Sequence, residues 1–478
     1  MTHLASVRHP QHAVVIGGSI AGLLAAKVLT KHFQRVTVIE RDNFTQETEH
    51  RHGVPQSPHV HTLLKRGLQS VEELFPGIEA QLADSGASAI DWGNDLPWLG
   101  FGGWAPRFKS DLITHTCSRN LLEQTIHHRL AAEKNLVFMQ EAQVVSLLSN
   151  SDRTGVTGLR VRFRNQPETD LTADLVVDAS GRNSSAPQWL EAMGYTPPQE
   201  TVINSYLGYA SCWYEPPNNL ECDWQCLYVT VQPPNNNRGG VIYKVEGNRW
   251  ILTLIGVGKD YPPTDKDGFL EFARSLRSPV IYEAIKNAQP LSSIYGYRRT
   301  ENRLRHYEKL KRLPENFVLV GDAVCAFNPV YGQGMTVAAL DALALDQCLN
   351  QQFSNHPDGN LIGLSRQFQK QLNKVIAVPW LMTTGEDLRW HTTEGGQPDF
   401  ISRVMQRYLD RVLLLQSENA EIHKTFLEVI HMLKPPTAFF HPNIITKVLK
   451  QVMNWQKKNE QFTNEQDVPK KLSVITQV

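Results

Sequence analysis

The stretch VVIGGSIAGLLAAKVL, residues 14–29, decides the reading of this 478-residue chain. Residues 13–16 are apolar and suit a short buried strand, Gly17-Gly18-Ser19 makes a turn, and helical spacing runs from Ile20 to about His32. Laid over the pattern G-x-G-x-x-G, Gly17, Ser19 and Gly22 take the three fixed positions and Gly18 the first variable one. The first glycine permits a tight turn, and the third lets the helix lie close to the strand. Ser19 gives the middle position less backbone freedom than glycine has. The next alternating run, RVTVIE at 35–40, ends in Glu40, 18 residues beyond Gly22. A carboxylate there accepts hydrogen bonds from an adenosine ribose, while the helix N-terminus faces a pyrophosphate. Arg41 is either a solvated surface residue or a group that stacks on adenine or meets phosphate.

Composition narrows the field. With 48 basic and 48 acidic residues, the chain lacks the net basic charge that a nucleic-acid partner calls for. Hydrophobic residues at 41% and charged residues at 20% describe a globular protein rather than a disordered one. Six cysteines fit no disulfide framework, and Cys222 and Cys226 lack a second Cys or His pair at zinc spacing. A reducing, cytoplasmic setting is expected. The uncharged run 13–26 is too short to span a bilayer, and its glycines have the explanation just given, so neither a secretion signal nor a transmembrane helix is expected.

Two further blocks resemble strand-ended loops. ADLVVDASGRNSSAPQWL, 173–190, sets Asp178, Gly181 and Arg182 behind an apolar run. ENFVLVGDAVCAFNPVYGQGMTVAALDALAL, 315–345, places Gly321-Asp322 after another, then Pro329, Gly332, Gly334 and Met335 at the start of a second helix. That helix start offers free amides suited to an electron-rich ring edge or a phosphate. A nicotinamide-only enzyme has no need of them, whereas a large dinucleotide with a distant ring system does.

These spacings predict an α/β protein with a Rossmann-like dinucleotide-binding domain, FAD-binding if the resemblance given below holds, assembled from 1–85, 109–195 and 301–360. An inserted, mainly antiparallel β substrate domain is expected from 86–108 and 196–300, where β-rich runs alternate with Pro and Asn and NNNRGG at 235–240 marks a hairpin turn. The aromatics Trp92, Trp98, Phe101 and Trp104, interleaved with glycines, suit a cavity wall or a surface hairpin. Residues 361–478 read as a C-terminal helical region, with Ile401, Val404, Tyr408, Val412 and Leu415 on one face. Ser118 is a suitable N-cap for a helix running to about Lys134.

In order and spacing, the three blocks resemble the FAD-dependent monooxygenases of the para-hydroxybenzoate hydroxylase fold, over about residues 12–390. RHGVPQSPHVHTLL (51–64), the GDAVCAFNPVYGQGM run and IAVPWLMTTGEDLRW (376–390) look most like the flavin epoxidases of polyether biosynthesis. The resemblance implies that Gly17, Gly18, Ser19, Ala21, Gly22 and Glu40 hold the ADP part of FAD. It further implies that Arg119 approaches the ribityl and phosphate region, that Asp178 to Arg182 serve FAD and nicotinamide handling, and that Asp322 binds a ribityl hydroxyl. Pro329 and Gly332 to Met335 would line the flavin ring. Cys325 stands where hydroxylases of the fold commonly carry His. A single G-x-G-x-x-G argues against a two-Rossmann flavoprotein, with NAD(P)H then a transient visitor, and the W-x-W-x-I-P signature of flavin halogenases is missing.

His50, His52, His59 and His61 crowd one loop, but no carboxylate or Cys accompanies them at ligand spacing, so no metal is expected; packing beside the flavin or a proton relay are the other readings. The helix at 444–455 reads as a packed cap or, through Lys447 and Lys450, as a membrane-surface contact. No G-x-S-x-G supports hydrolase chemistry. The expected activity is NAD(P)H- and O2-using hydroxylation or epoxidation of a largely apolar substrate such as a terpenoid, polyene or polyketide. No side-chain base is strictly required for an alkene, and no catalytic residue is assigned. A prenyl reductase or dehydrogenase, a redox-neutral FAD-dependent cyclase and a non-catalytic flavin binder are the alternatives.

Overall fold

The first apolar run forms strand His12–Ile16 at the centre of a five-stranded parallel sheet in a computed structural model that describes residues 11–44, 53–164, 166–217 and 222–464. Arg35–Ile39 and then Leu136–Met139 lie on one side of it; Leu175–Asp178 and then Phe317–Leu319 lie on the other. Leu175–Asp178 and Phe317–Leu319 are buried on both faces, which explains their apolar runs, and Arg35–Ile39, whose sequence alternates, is buried on both faces beyond Arg35 as well, Thr37 included. Helix Ile20–Leu29 is buried nearly all round, as a sequence apolar but for Lys27 demands, and packs on helix Gly334–Asn355. It ends at Leu29, short of His32, because residues 30–33 tighten into a turn around the Val28 and Leu29 carbonyls. A three-stranded antiparallel sheet, Ala142–Ser149, Val156–Phe163 and Thr169–Thr172, adds Leu159 and Val161 to the same core and turns its arginines outward.

A second sheet of seven strands comes mainly from 208–297 and is antiparallel except at one edge, where Trp98–Leu99 pairs parallel to Cys226–Val229. Its period-two alternation separates two environments. Leu227, Ile242, Leu252 and Leu254 pack against helices Lys266–Arg274 and Val280–Ile285. Tyr228, Val241, Tyr243, Thr253 and Ile255 face a cavity on the other side. Those two helices are not anticipated by the β-rich reading of 196–300; Phe269 and Phe272 had no visible partners in the sequence until the sheet supplied them.

The C-terminal region is helical: Leu364–Asp387, Phe400–Gln416, Ala420–Ile430 and Pro442–Asn464. The stripe expected over 401–415 is buried only at its far end. Val412 and Leu415 pack inside, whereas Ile401 and Val404 are exposed. The last helix packs Ile444 and Val448 against Phe439 and Val412, with Lys447 bonded to Asn419 and Glu421, which is the arrangement of a cap. Among the described residues no helix is long and apolar enough to cross a membrane.

Candidate active site

One continuous cavity of about 1060 Å3 runs from the C-terminal ends of the parallel strands to the second sheet and the C-terminal helices. Open parallel sheets place ligands at that end of their strands. At one end, Gly17 has φ +100 and a Cβ there would stand 2.6 Å from the Ala179 carbonyl oxygen, so only glycine fits without strain. A Cβ on Gly22 would meet the Gly17 oxygen at 1.8 Å, which is why the helix can lie directly on the turn. Ser19 is accommodated because its φ is an ordinary −99. Its hydroxyl donates to Glu123 at 2.9 Å and accepts from Arg119 Nη2 at 2.9 Å.

Gly17, Ser19, Ala21, Glu40, Arg41, Arg119, Asp322, Pro329, Gly332, Gly334 and Met335 all line this cavity. Three expected site residues do not. Gly18 lies behind Glu40, giving its N–H to Oε2 at 2.8 Å. Gly22 acts through packing. Asp178 is fully buried, and its carboxylate accepts from Ser180 N at 2.9 Å, from Ser180 Oγ at 2.6 Å and from the Ser184 hydroxyl. A strand-end Asp followed by serines satisfies itself on its own turn, so Asp178 shapes the loop while Ser180 to Arg182 reach the cavity.

Charge is concentrated at the loop ends. Burial pushes the Asp322 carboxyl up, against the pull of Arg182 and Arg119. Behind it Asp341 is pushed up to about 8 by burial; it accepts the Gly321 N–H at 3.0 Å, and Asp322 adds to the effect. Arg182 is anchored by the Glu301 and Phe327 carbonyls and by the Glu301 carboxylate at 3.0 Å.

The loop before residue 63 closes the middle of the cavity. His50 and His52 lie outside the described residues. His59 Nδ1 meets Ser211 Oγ at 2.7 Å, Ser211 meets Thr253 at 2.6 Å, and Trp213 Nε1 donates to the Pro58 carbonyl, fastening this loop to the second sheet. His61 Nδ1 lies 2.9 Å from the His59 carbonyl and so must carry the proton, leaving Nε2 as an acceptor. Burial, reinforced by Arg119, pushes His61 down to about 3, so it stays neutral at ordinary pH. Among the described residues, no group of three His, Cys, Asp or Glu is placed to hold a metal.

The aromatic run behaves as a wall: Trp92, Trp98 and Phe101 line the cavity, whereas Trp104 is exposed. Cys325 lies in strand Cys325–Ala326, buried with its thiol pushed well up by burial, and is not in the lining. Sequence reasoning missed the clamp on the 328–332 loop. Asp387 accepts from Asn302 Nδ2 at 2.7 Å, from Asn328 Nδ2 at 3.1 Å and from the Tyr331 hydroxyl at 2.8 Å. The available signal was a buried-looking acid, Asp387, inside the epoxidase-like run 376–390.

A Cβ-intolerant turn, a strand-end carboxylate, two helix N-termini and a long continuous cavity together fit an extended dinucleotide. The sequence matches the FAD binding domain family over residues 11–362. The chain belongs to that family. The flavoprotein is 31% identical over 395 residues to Protein Rv3254 of Mycobacterium tuberculosis (strain ATCC 25618 / H37Rv), covering 80% of this chain and 81% of the relative. It is 24% identical to kynurenine 3-monooxygenase of Salinispora arenicola (strain CNS-205), over 73% and 74% of the two chains. The structure of flavin-dependent brominase Bmp2 superposes with a TM-score of 0.63 at 14% identity, over 94% of this chain and 100% of the brominase, and shows the shared fold. The flavoprotein is therefore a flavin-dependent oxidoreductase with the fold of the para-hydroxybenzoate hydroxylase group.

Proposed function

We propose that the flavoprotein is an NAD(P)H-dependent monooxygenase that places one atom of dioxygen on an alkene or arene of a large, mostly apolar substrate. The second oxygen atom leaves as water, and NAD(P)H supplies the two electrons. The observation that carries this reading is the continuity of the cavity: the compartment beyond the flavin loops is walled by Trp92, Trp98, Phe101, Tyr228, Phe426 and Phe439. Such walls match the surface of a terpenoid, polyene or polyketide rather than of a small polar metabolite.

In this reading Gly17, Ser19, Ala21 and Glu40 hold the ADP part, with Gly18 and Gly22 shaping the turn from behind. Arg41 meets adenine or phosphate from the cavity edge. Arg119 and Asp322 take the ribityl and phosphate region, with Asp178 ordering the adjoining turn. Pro329, Gly332, Gly334 and Met335 form the ring edge, held in place by the Asp387 clamp. Bound FAD supplies hydride acceptance and dioxygen activation. The chain's own contribution is to orient the substrate and to keep water out of an apolar compartment. Neutral His61 offers an acceptor, and the Tyr243 hydroxyl is engaged with Thr62 at 2.7 Å, so neither is set up as a strong acid. Epoxidation, which needs no side-chain base, agrees with that chemistry and with the polyether-epoxidase likeness.

The test is oxygen uptake by the purified yellow protein with NADPH or NADH, alone and with a panel of polyenes and terpenoids. Substrate-stimulated uptake with one oxygen atom found in product supports the proposal. Reduced flavin that persists in air would instead indicate a reductase. Product formed without net electron consumption would indicate a cyclase.

A further inference from the structure

The distal compartment is apolar with one charged exception. Among the described lining residues the carboxylates are Glu40, Asp322 and Glu386, and the first two belong to the nucleotide and flavin-loop ends. Glu386 lies in the last turn of helix Leu364–Asp387 and keeps 36% of its side-chain surface accessible where it lines the cavity. Its ion-pair partner, Arg389 Nη1, stands at 3.5 Å. The other end of that guanidinium bonds Asp410, and Arg389 is nearly buried beside the Phe101 ring. Arg389 is thus shared between two carboxylates, and Glu386 holds its looser end.

Two lining glutamines already have their side-chain amide nitrogens engaged. Gln406 Nε2 donates to the Gly385 carbonyl at 3.0 Å, and Gln416 Nε2 meets His423 Nδ1 at 2.9 Å. A carboxylate walled by apolar groups is costly unless a donor reaches it, and Arg389 approaches only loosely. Burial raises the Glu386 carboxyl and Asp410 adds to this, with Arg389 opposing. A second donor brought by a ligand would complete the shell.

We infer that Glu386 is the polar anchor of the substrate compartment: it takes the hydrogen-bond-donating end, an ammonium or a hydroxyl, of an otherwise apolar molecule and rejects a carboxylate at that end. This deepens the proposed function, and rests on it in treating the apolar compartment as the substrate's. Binding by Glu386 requires no turnover.

The experiment titrates the holoprotein at pH 7.5 with decylamine, decanol and decanoate by calorimetry, below micelle formation, with the flavin spectrum recorded alongside. Equal chains and different ends isolate the head group. Decylamine and decanol are expected to bind at least about tenfold more tightly than decanoate, and Glu386→Gln to bring the three within about threefold. Gln406→Leu, which changes a neighbouring wall residue, keeps the preference. Decanoate binding as tightly as decylamine in the unaltered protein overturns the inference, as does a preference that survives Glu386→Gln or collapses equally in Gln406→Leu. A yellow, oxygen-consuming protein without discrimination sinks this inference alone. Discrimination without oxygen transfer sinks the monooxygenase reading alone.

Discussion

The Tyr331 hydroxyl donates to Asp387 Oδ1 at 2.8 Å, joining the loop that opens helix Gly334–Asn355 to the end of the next long helix. Asn328 and Asn302 complete the clamp, and burial lifts the Asp387 carboxyl to about 6. Asp387→Ala would take the acceptor from two buried amides and the half-buried Tyr331 hydroxyl. A loss of about 2–4 kcal/mol is expected in urea denaturation, with FAD released at lower temperature on heating. Asp387→Asn, which keeps one acceptor oxygen, should lose clearly less.

Asp341 predicts a pH-dependent difference. Its carboxyl sits at about 8 in the folded protein against an ordinary 3.8, so folding binds a proton between those values. The stability it contributes is complete below about pH 4 and is lost as pH rises toward 8. Asn at this position has no such term. Asp341→Asn should therefore gain on the unaltered protein by roughly 1–3 kcal/mol between pH 5 and pH 8, the slope being at most about 1.4 kcal/mol per pH unit. Parallel urea titrations at the two pH values check the sign; a gap that shrinks with pH would contradict it.

Glu40 and Asp322 stand at opposite ends of the loop system. Removing either carboxylate takes away an acceptor facing the cavity, and Glu40→Ala also removes the carboxylate that accepts from the Gly18 N–H. Each substitution to Ala is expected to weaken FAD retention by about tenfold or more, measured by flavin content after gel filtration and by titration back with FAD.

The parallel sheet was legible because its runs are short and mostly apolar with glycine close behind, and the structure sets both Gly17 and Glu40 on the cavity wall. The antiparallel sheet was legible through β-rich runs separated by Pro and Asn and through the NNNRGG turn at 235–240. What escaped depends on partners remote in the chain. Asp178 looks like a ligand in isolation, yet Ser180 and Ser184 consume its acceptors. Asp387 and Glu386 are adjacent acids with opposite surroundings, one saturated by three donors and the other open to the cavity, and no local pattern distinguishes them. Helix Lys266–Arg274 was invisible because its Phe269 and Phe272 only make sense against a sheet.

That helix makes its own prediction. Phe269 is fully buried between it and the second sheet. Phe269→Ala should destabilise the protein by about 3–5 kcal/mol, seen as an earlier unfolding transition. A change within experimental error would mean that the helix does not seal that face.

The central claim is that loops ending three distant strands enclose one dinucleotide. Titrating flavin-stripped protein with FAD, followed by quenching of flavin fluorescence, tests it most directly. Saturation at one FAD per chain, with affinity reduced in both Glu40→Ala and Asp322→Ala, is the predicted result. A folded protein that takes up no FAD, or whose uptake is indifferent to both substitutions, would contradict it.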